Sequence, residues 1–148
     1  DWNNSAAVLK AANYCSELRE RCLAEKKSFV FETVFSAQDK IDFVIRAKQA
    51  GFFIRIFFIS TSNPAINASR IAKRVMKGGH DVPITKIISR YNKSIQNCKI
   101  VASIIDRLYV YDNSIDDVDA RPLFRLSDGV LAKQYTEDIP DWAQNILL

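Results

Sequence analysis

The residues best suited to chemistry in this sequence are the cations between Arg70 and Arg90. Four of them follow the spacing i, i+3, i+4, i+7 and so share one face of a predicted helix: Arg70, Lys73, Arg74 and Lys77. After a break at residues 78–83, three more follow the spacing i, i+4, i+7: Lys86, Arg90 and Lys93. Two basic helix faces suit a polyanion, and phosphate is the commonest such target. The alternative is two solvated helix faces that bind nothing.

Local signals predict the elements that position these cations. Asn3 or Asn4 can cap a first helix that ends near residues 26–27. A β-rich run covers residues 28–35, and a second helix covers residues 37–50 and stops at Gly51. The run 52–59 is almost wholly apolar, which is typical of a strand buried on both faces. Asn63 and Pro64 then begin the first basic helix.

The second half of the chain continues the alternation of helices and strands. The second basic helix has an apolar stripe from Ile84 to Ile95, and further strands are expected at residues 108–111 and 123–126. The tail to Trp142 is weakly specified. This order predicts an α/β fold with a parallel sheet flanked by helices. We expect one domain, residues 1–148, in which residues 64–99 form a helical lid.

Polar residues fall where three of the predicted strands end. They form three clusters: Glu32, Thr33 and Ser36; residues 60–63; and Asp112, Asn113 and Ser114. Ligands of α/β sheets bind beyond the carboxyl ends of the strands. These clusters therefore predict a site under the lid. The competing interpretations are that Ser36 caps the following helix, that Glu32 forms an ion pair with Lys40 or Arg55, and that Asp112 and Asn113 mark a turn.

Composition limits the class of protein. The chain has 148 residues, 48% hydrophobic and 26% charged, as in ordinary globular domains, and its net charge of +4 is mild. Three cysteines without metal or redox spacing favour free thiols in a reducing compartment. With one histidine, His80, a zinc site built by the protein is not expected, and His80 is better explained as packing the lid turn with Asp81. No apolar run has membrane-spanning length and no signal peptide is evident, so we expect a cytoplasmic protein without membrane contact.

Three motifs together resemble a known family. They are Phe29-Val30-Phe31-Glu32-Thr33, then Gly78-Gly79-His80-Asp81-Val82-Pro83 followed by Arg90-Tyr91, then Tyr111-Asp112-Asn113-Ser114. In this order the motifs resemble the zeta-toxin-like branch of the P-loop kinases, over roughly residues 5–125. The resemblance implies a parallel sheet, ATP and Mg²⁺ as cofactors, and a helical lid whose arginines close over the phosphates. It also implies phosphorylation of a hydroxyl on a small metabolite or nucleotide sugar, with an antitoxin protein as a further partner.

The resemblance also implies residue roles. Arg74 and Arg90 resemble the lid arginines that neutralise charge on the transferred phosphoryl group, a catalytic role. Glu32 resembles the family's substrate-contacting glutamate, with Thr33 and Ser36 as donors to the same ligand. Arg70, which competes with Arg74 for the first lid role, and Asp112 with Asn113 would contact the nucleotide.

The chain departs from the family pattern in its first fifty residues. A Walker A loop needs glycines, a lysine and a serine or threonine, and the first glycine of this chain is Gly51. We therefore expect the phosphate loop to lie upstream of Asp1, the chain to be incomplete at its N-terminus, and the fragment to be inactive. The alternatives are a non-catalytic α/β binding module or a degenerate kinase. A nucleic-acid binder is less favoured, because only Tyr91 is interleaved with the basic residues.

Overall fold

Helices and strands occur together along the chain, as in an α/β protein, in this computed structural model, which describes residues 4–79 and 81–147. The helices within those ranges are α1 Ser5–Ala24, α2 Gln38–Gln49, α3 Pro64–Met76, α4 Ile84–Ala102 and α5 Asp141–Leu147. The strands are β1 Arg55–Ser60, β2 Arg107–Asp112, β3 Arg121–Ser127 and β4 Val130–Gln134. His80, for which packing against the lid turn was expected, lies outside the described residues.

The strands form one mixed sheet in the order β1-β2-β3-β4. β1 and β2 run parallel, with the long α3–α4 connection between them, whereas β2–β3 and β3–β4 are antiparallel. The α/β class is confirmed, but the parallel arrangement that we predicted is confined to the first pair. The reason is connection length: β3 and β4 are joined only by Asp128 and Gly129, which is too short for a parallel crossover.

Local capping signals account for the helix boundaries. The Asn4 side chain accepts a hydrogen bond from the Ala7 N–H at 3.1 Å, and Asn63 accepts one from the Ala65 N–H at 2.8 Å. At the end of α3, the Gly78 N–H donates to Val75 O and the Gly79 N–H donates to Arg74 O, each at 2.9 Å. Gly78 takes a φ of 85°, which favours glycine, so the pair closes the helix in a Schellman motif.

The expected strand at residues 28–35 is wrong, because these residues have no strand assignment. Their aromatic side chains instead pack on each other and on α2: the Phe29 and Phe31 ring centroids are 6.0 Å apart, and Phe31 lies 5.8 Å from Phe43. Aromatic residues fit a pleated sheet well, but that preference is realised only where a neighbouring strand pairs with them. Glu32 therefore lies in an irregular segment, where its side chain is exposed.

The core lies on one face of the sheet. Phe58, Leu108 and Phe124 from the strands pack into one cluster with apolar residues of α2, α4 and α5. We expected β1 to be buried on both faces, and this is wrong: Phe57 and Ile59, which alternate with Phe58, are exposed. β1 is covered on one side only within the described residues.

The two helices of the predicted lid are held differently. No residue of α3 is fully buried, whereas α4 contributes Ile87, Cys98 and Val101 to the buried interior. Burial raises the pKa of the Cys98 thiol far above its usual range, so that thiol stays protonated. α4 is therefore a fixed wall, and α3 is the more loosely attached of the two. None of the described helices has the length and apolar character needed to cross a membrane.

Candidate functional site

A shallow cleft of about 380 Å³ that is open to solvent, which we call the cavity, lies between the segment that enters α2 and the first half of α4. It brings together three cations, three hydroxyl groups and no carboxylate. The residues that line it are Ser36, Ala37, Thr85, Lys86, Ser89, Arg90 and Lys93. A concave surface with this composition attracts anions, and the guanidinium fork of Arg90 matches the geometry of phosphate oxygens.

The orientation of α4 about its own axis places its cations along the cavity. The positions Ile87, Ser94 and Cys98 are buried, so this side of the helix is held against the protein interior. Lys86, Arg90 and Lys93 occupy another stripe of the helix, which therefore faces outward beside Ser36. Packing of one side of α4 thus fixes where the charged stripe lies.

The opposite wall of the cavity is held by a contact between α4 and the chain before α2. The Asn97 side chain donates to Phe35 O at 2.9 Å, and the Phe35 N–H donates to the Thr33 hydroxyl oxygen at 3.2 Å. Phe35 is buried with a φ of 60°, a conformation that turns the chain sharply into α2. Ser36, the next residue, lines the cavity together with Arg90.

Ser36 is not the cap of α2. The capping position is Ala37, and no side chain caps this helix end. The cap interpretation of Ser36 is therefore wrong, and its hydroxyl group is left to line the cavity. Thr33 is different, because its hydroxyl oxygen already accepts the Phe35 N–H and its side chain is exposed.

A second polar cluster joins the carboxyl ends of β1 and β2. The Asn113 N–H donates to Ser60 O at 2.7 Å, and the Ser62 N–H donates to the Ser114 hydroxyl oxygen at 2.8 Å. The Asp112 carboxylate accepts both the N–H, at 2.8 Å, and the hydroxyl of Ser114. Residues 60–63 and 112–114 therefore meet at one edge of the sheet, and Asp112 and Asn113 are engaged in closing the two turns.

Tyr91 ties α4 to the same edge of the sheet. Its hydroxyl donates to Thr61 O at 2.8 Å, and burial, with a contribution from the Asp112 carboxylate, raises the pKa of the phenol. A phenol that stays protonated keeps this donor, so Tyr91 is a structural link between α4 and β1. Its half-buried ring is not presented for stacking on a base.

Arg70 fixes α3 to the loop after β2. Its Nε donates to the Asp116 carboxylate and its Nη1 to Asn113 O, each at 2.8 Å, while Lys73 Nζ reaches the other Asp116 oxygen at 2.9 Å. This arrangement places Arg70 beside the predicted nucleotide residue Asn113.

The contact of Asp116 with Arg70 and Lys73 should weaken at acidic pH. Hydrogen bonds from Lys73 and then Arg70 lower the pKa of Asp116 in the folded protein. Because the folded pKa is depressed, the stabilisation is present above the ordinary aspartate pKa and is lost as the pH falls through the folded value. We expect Asp116 to titrate below an aspartate in an unstructured peptide in a carboxyl-carbon NMR titration, and Lys73→Ala to reduce that difference. An Asp116 midpoint equal to that of the peptide aspartate would contradict the geometry.

The other predicted site residues lie outside the cavity. Arg74 is exposed on α3 and is not among the residues that line the cavity, and Glu32 is exposed in the irregular segment before α2. The structure therefore brings Ser36 and Arg90 together but leaves Arg74, Glu32 and Thr33 apart from them. The sequence identified Lys86 and Lys93 as part of the basic helix face, whereas no pattern in the sequence indicated that Thr85 and Ser89 belong to a site.

The described residues do not form a complete site for ATP and Mg²⁺. Gly51 ends α2, Gly78 and Gly79 end α3, and Gly129 lies in the β3–β4 turn, so none forms a loop between a strand and a helix. The helix that follows β1, α3, has its N-terminus capped by Asn63 and begins with Pro64, which lacks an N–H. No group of three or more metal-ligating side chains occurs within residues 4–79 and 81–147. Of the groups that a site for ATP and Mg²⁺ needs, the described residues provide only side chains that can bind anions.

Comparison with known proteins gives one match. The family model described as Zeta toxin matches residues 3–119, which contain the cavity, both basic helices and the linked ends of β1 and β2. No curated protein and no solved structure matches the chain.

Proposed function

The chain belongs to the zeta toxin family, and from this premise we propose that it is the acceptor- and phosphate-binding part of an ATP-dependent phosphotransferase. The family match supports a P-loop kinase-like function in general. The proposed acceptor is a hydroxyl group of a small metabolite or nucleotide sugar. A toxin role with an antitoxin partner and a cytoplasmic location belong to the same proposal.

One observation carries the proposal, namely the cavity that Arg90 and Ser36 both line. Three cations, at positions 86, 90 and 93, surround it together with three hydroxyl groups and no carboxylate. Phosphate groups carry more than one negative charge and several acceptor oxygens, so both the charges and the donors of this cavity suit them. A neutral metabolite would leave all three cations without a partner.

Within this proposal the residues divide into three roles. Arg90, and by family resemblance Arg74, offset negative charge on the phosphoryl group that is transferred. Ser36, with Glu32 and Thr33 from the segment before it, would orient the acceptor. Arg70, Asp112 and Asn113 would stand on the nucleotide side, where the turns after β1 and β2 meet.

The zeta toxin family generally binds ATP and Mg²⁺, and the proposal takes them as the phosphoryl donor and its metal. The described residues provide neither a glycine-rich loop nor a carboxylate cluster for these groups. We therefore assign no step on ATP or Mg²⁺ to this chain, and we expect residues 1–148 alone to release no phosphate from ATP. Release above that of a heat-inactivated sample, with material of confirmed mass, would contradict this expectation.

Calorimetric titration with inorganic pyrophosphate tests the anion site itself. We expect the unaltered chain to bind pyrophosphate, and the double change Lys86→Ala and Lys93→Ala to weaken binding by at least about tenfold, because two of three cations are removed. Lys99→Ala is the matched control, since this exposed cation lies on α4 but does not line the cavity. Equal losses of pyrophosphate affinity in both variants would show that binding depends on the general positive charge of the chain and not on the cavity.

A non-catalytic binding module of the same fold is the second candidate. The observation in its favour is that the described residues hold no phosphate loop and no metal-binding carboxylates. Pyrophosphate binding fits both candidates, and they differ in what happens when a phosphate loop is joined to the chain. Phosphoryl transfer to a hydroxyl acceptor favours the kinase, and tight anion binding without transfer favours the binding module.

A further inference from the structure

The segment that carries Ser36 into the cavity has no helix or strand to hold it. Residues 27–36 have no regular secondary structure, and residues 32–34 are exposed. Phe35 is the one buried residue in the range 28–38. The position of Ser36 in the cavity therefore depends on how its neighbour Phe35 is held.

Phe35 has a backbone conformation that a bulky residue rarely adopts. Its φ of 60° lies in the left-handed region, where the Cβ atom is crowded by the backbone. The other non-glycine residues with positive φ in the described part of the chain are exposed and lie in turns: Lys26, Asp117 and Asp128. A strained conformation at a buried residue persists only where the surrounding contacts hold it, and such residues cluster at functional sites.

Two contacts hold Phe35 in this conformation. Its ring belongs to the core cluster, and its carbonyl oxygen accepts a hydrogen bond from the Asn97 side chain at 2.9 Å. The Phe35 N–H is bonded only locally, to the hydroxyl oxygen of Thr33. Among the hydrogen bonds made by residues 28–36 within the described part of the chain, the one from Asn97 alone comes from a helix.

The aromatic contacts of the segment do not fix the direction of Ser36. Phe29 and Phe31 pack on Phe43 of α2, with ring centroids 6.0 and 5.8 Å apart, so the rings already attach the segment to the protein. None of these contacts involves the peptide group between Phe35 and Ser36. The Asn97 amide binds the carbonyl oxygen of that peptide group, so it fixes the direction in which the chain continues to Ser36.

Asn97 lies on the same stripe of α4 as the cations of the cavity. Lys86, Arg90, Lys93 and Asn97 follow the spacing i, i+4, i+7, i+11, which repeats on one side of a helix. The three cations line the cavity, whereas Asn97, one turn beyond Lys93, is half-buried and does not line it. One stripe of α4 therefore carries the cations and also fixes the segment that carries Ser36.

We propose that Asn97 is a positioning residue for the anion site. By binding Phe35 O, it keeps the Ser36 hydroxyl in the cavity beside the cations of α4, where that hydroxyl donates to the bound anion. Asn97 does not touch the anion and acts through Ser36. This inference rests on the proposed function, because it takes the cavity to be a phosphate site.

A double-mutant cycle in calorimetric titrations with inorganic pyrophosphate tests the inference. We expect Ser36→Ala and Asn97→Ala each to weaken binding by about tenfold, the loss that corresponds to one hydrogen bond to a charged group. The double variant should bind as Ser36→Ala does, because Asn97 has no further effect once the hydroxyl is gone. Asn92→Ala is the matched control, since this exposed asparagine of α4 does not line the cavity, and its affinity should be unchanged.

A second variant separates the hydrogen bond from the packing of the side chain. Asn97→Leu fills a similar space without a donor, so it should lose as much affinity as Asn97→Ala. Circular dichroism establishes that the variants are folded before their affinities are compared. If neither Asn97 variant folds, Asn97 is needed for the fold as a whole and the positioning role is wrong.

The remaining outcomes distinguish this inference from the proposed function. Additive losses in the double variant would show that Asn97 acts independently of Ser36, which would overturn the inference. Unchanged affinity in Asn97→Ala or Asn97→Leu would overturn it as well, while leaving the anion site intact. Failure of the unaltered chain to bind pyrophosphate would reject the anion site itself, and the inference with it.

Discussion

Arg90→Ala is expected to lower the turnover of a phosphotransferase built on this chain by about 10³-fold, while ATP affinity changes little. Arg90 and Ser36 both line the cavity, and in the proposed function the guanidinium of Arg90 would meet charge that grows as the phosphoryl group is transferred. Such an interaction is stronger in the transition state than in the ground state, so its loss lowers turnover rather than binding. Steady-state kinetics and nucleotide titration on an active protein that contains residues 1–148 and a phosphate loop measure the two effects separately.

Three further variants show whether this effect is specific. Lys77→Ala should be nearly neutral, because Lys77 is exposed at the end of α3 and outside the cavity. Glu32→Gln should raise the KM for the acceptor and leave ATP affinity almost unchanged. Arg74→Ala tests the role that family resemblance gives to a residue outside the cavity. If Lys77→Ala is as damaging as Arg90→Ala, the basic helices act as a diffuse charged surface and the assignment to Arg90 fails.

Phe124→Ala is expected to lower the free energy of unfolding by about 3–5 kcal/mol. Phe124 is fully buried in β3, within the cluster that the strands share with α2, α4 and α5. Removing its ring loses the transfer free energy of the buried carbons and leaves a cavity among close-packed side chains. Urea denaturation followed by circular dichroism measures the change.

Phe53→Ala is the matched control for that experiment. Phe53 is exposed beside the same sheet, where its ring lies under the guanidinium groups of Arg55 and Arg107. Its truncation should change the free energy of unfolding by no more than about 1 kcal/mol, since an exposed side chain leaves no cavity. Similar losses of unfolding free energy in the two variants would show that the protein core does not lie on the face of the sheet where Phe124 packs.

Elements that depend on short-range signals were predictable from the sequence. Asn4 and Asn63 cap α1 and α3 as expected, Gly51 follows α2, and the glycine pair 78–79 separates the two basic helices. Each of these signals acts within a few residues of the chain, so spacing and residue type are sufficient. The strand expected at residues 123–126 lies within β3, whereas its hairpin partner β4 and the helix α5 were missed. β4 is exposed throughout and has no apolar alternation.

Features that depend on long-range contacts were not predictable. Residues 28–35 have the composition of a strand, but their phenylalanines pack on α2 and not beside another strand. The segment beside the cavity is held by Asn97, which donates to Phe35 O, a contact between residues 62 positions apart. No periodicity in the sequence predicts such a contact. Ser36 and Arg90 were each predicted as site residues, but only the fold shows that they face the same cavity.

The most direct test of the central claim is an NMR titration of the chain with inorganic pyrophosphate, read at each backbone amide. The account predicts saturable shifts at Ser36, Thr85, Ser89 and Arg90, which line the cavity on both walls. The amides of Phe57 in β1 and Tyr109 in β2, which do not line the cavity, should stay unchanged. Shifts spread evenly over every basic segment, or shifts confined to α3, would contradict a phosphate site between Ser36 and α4.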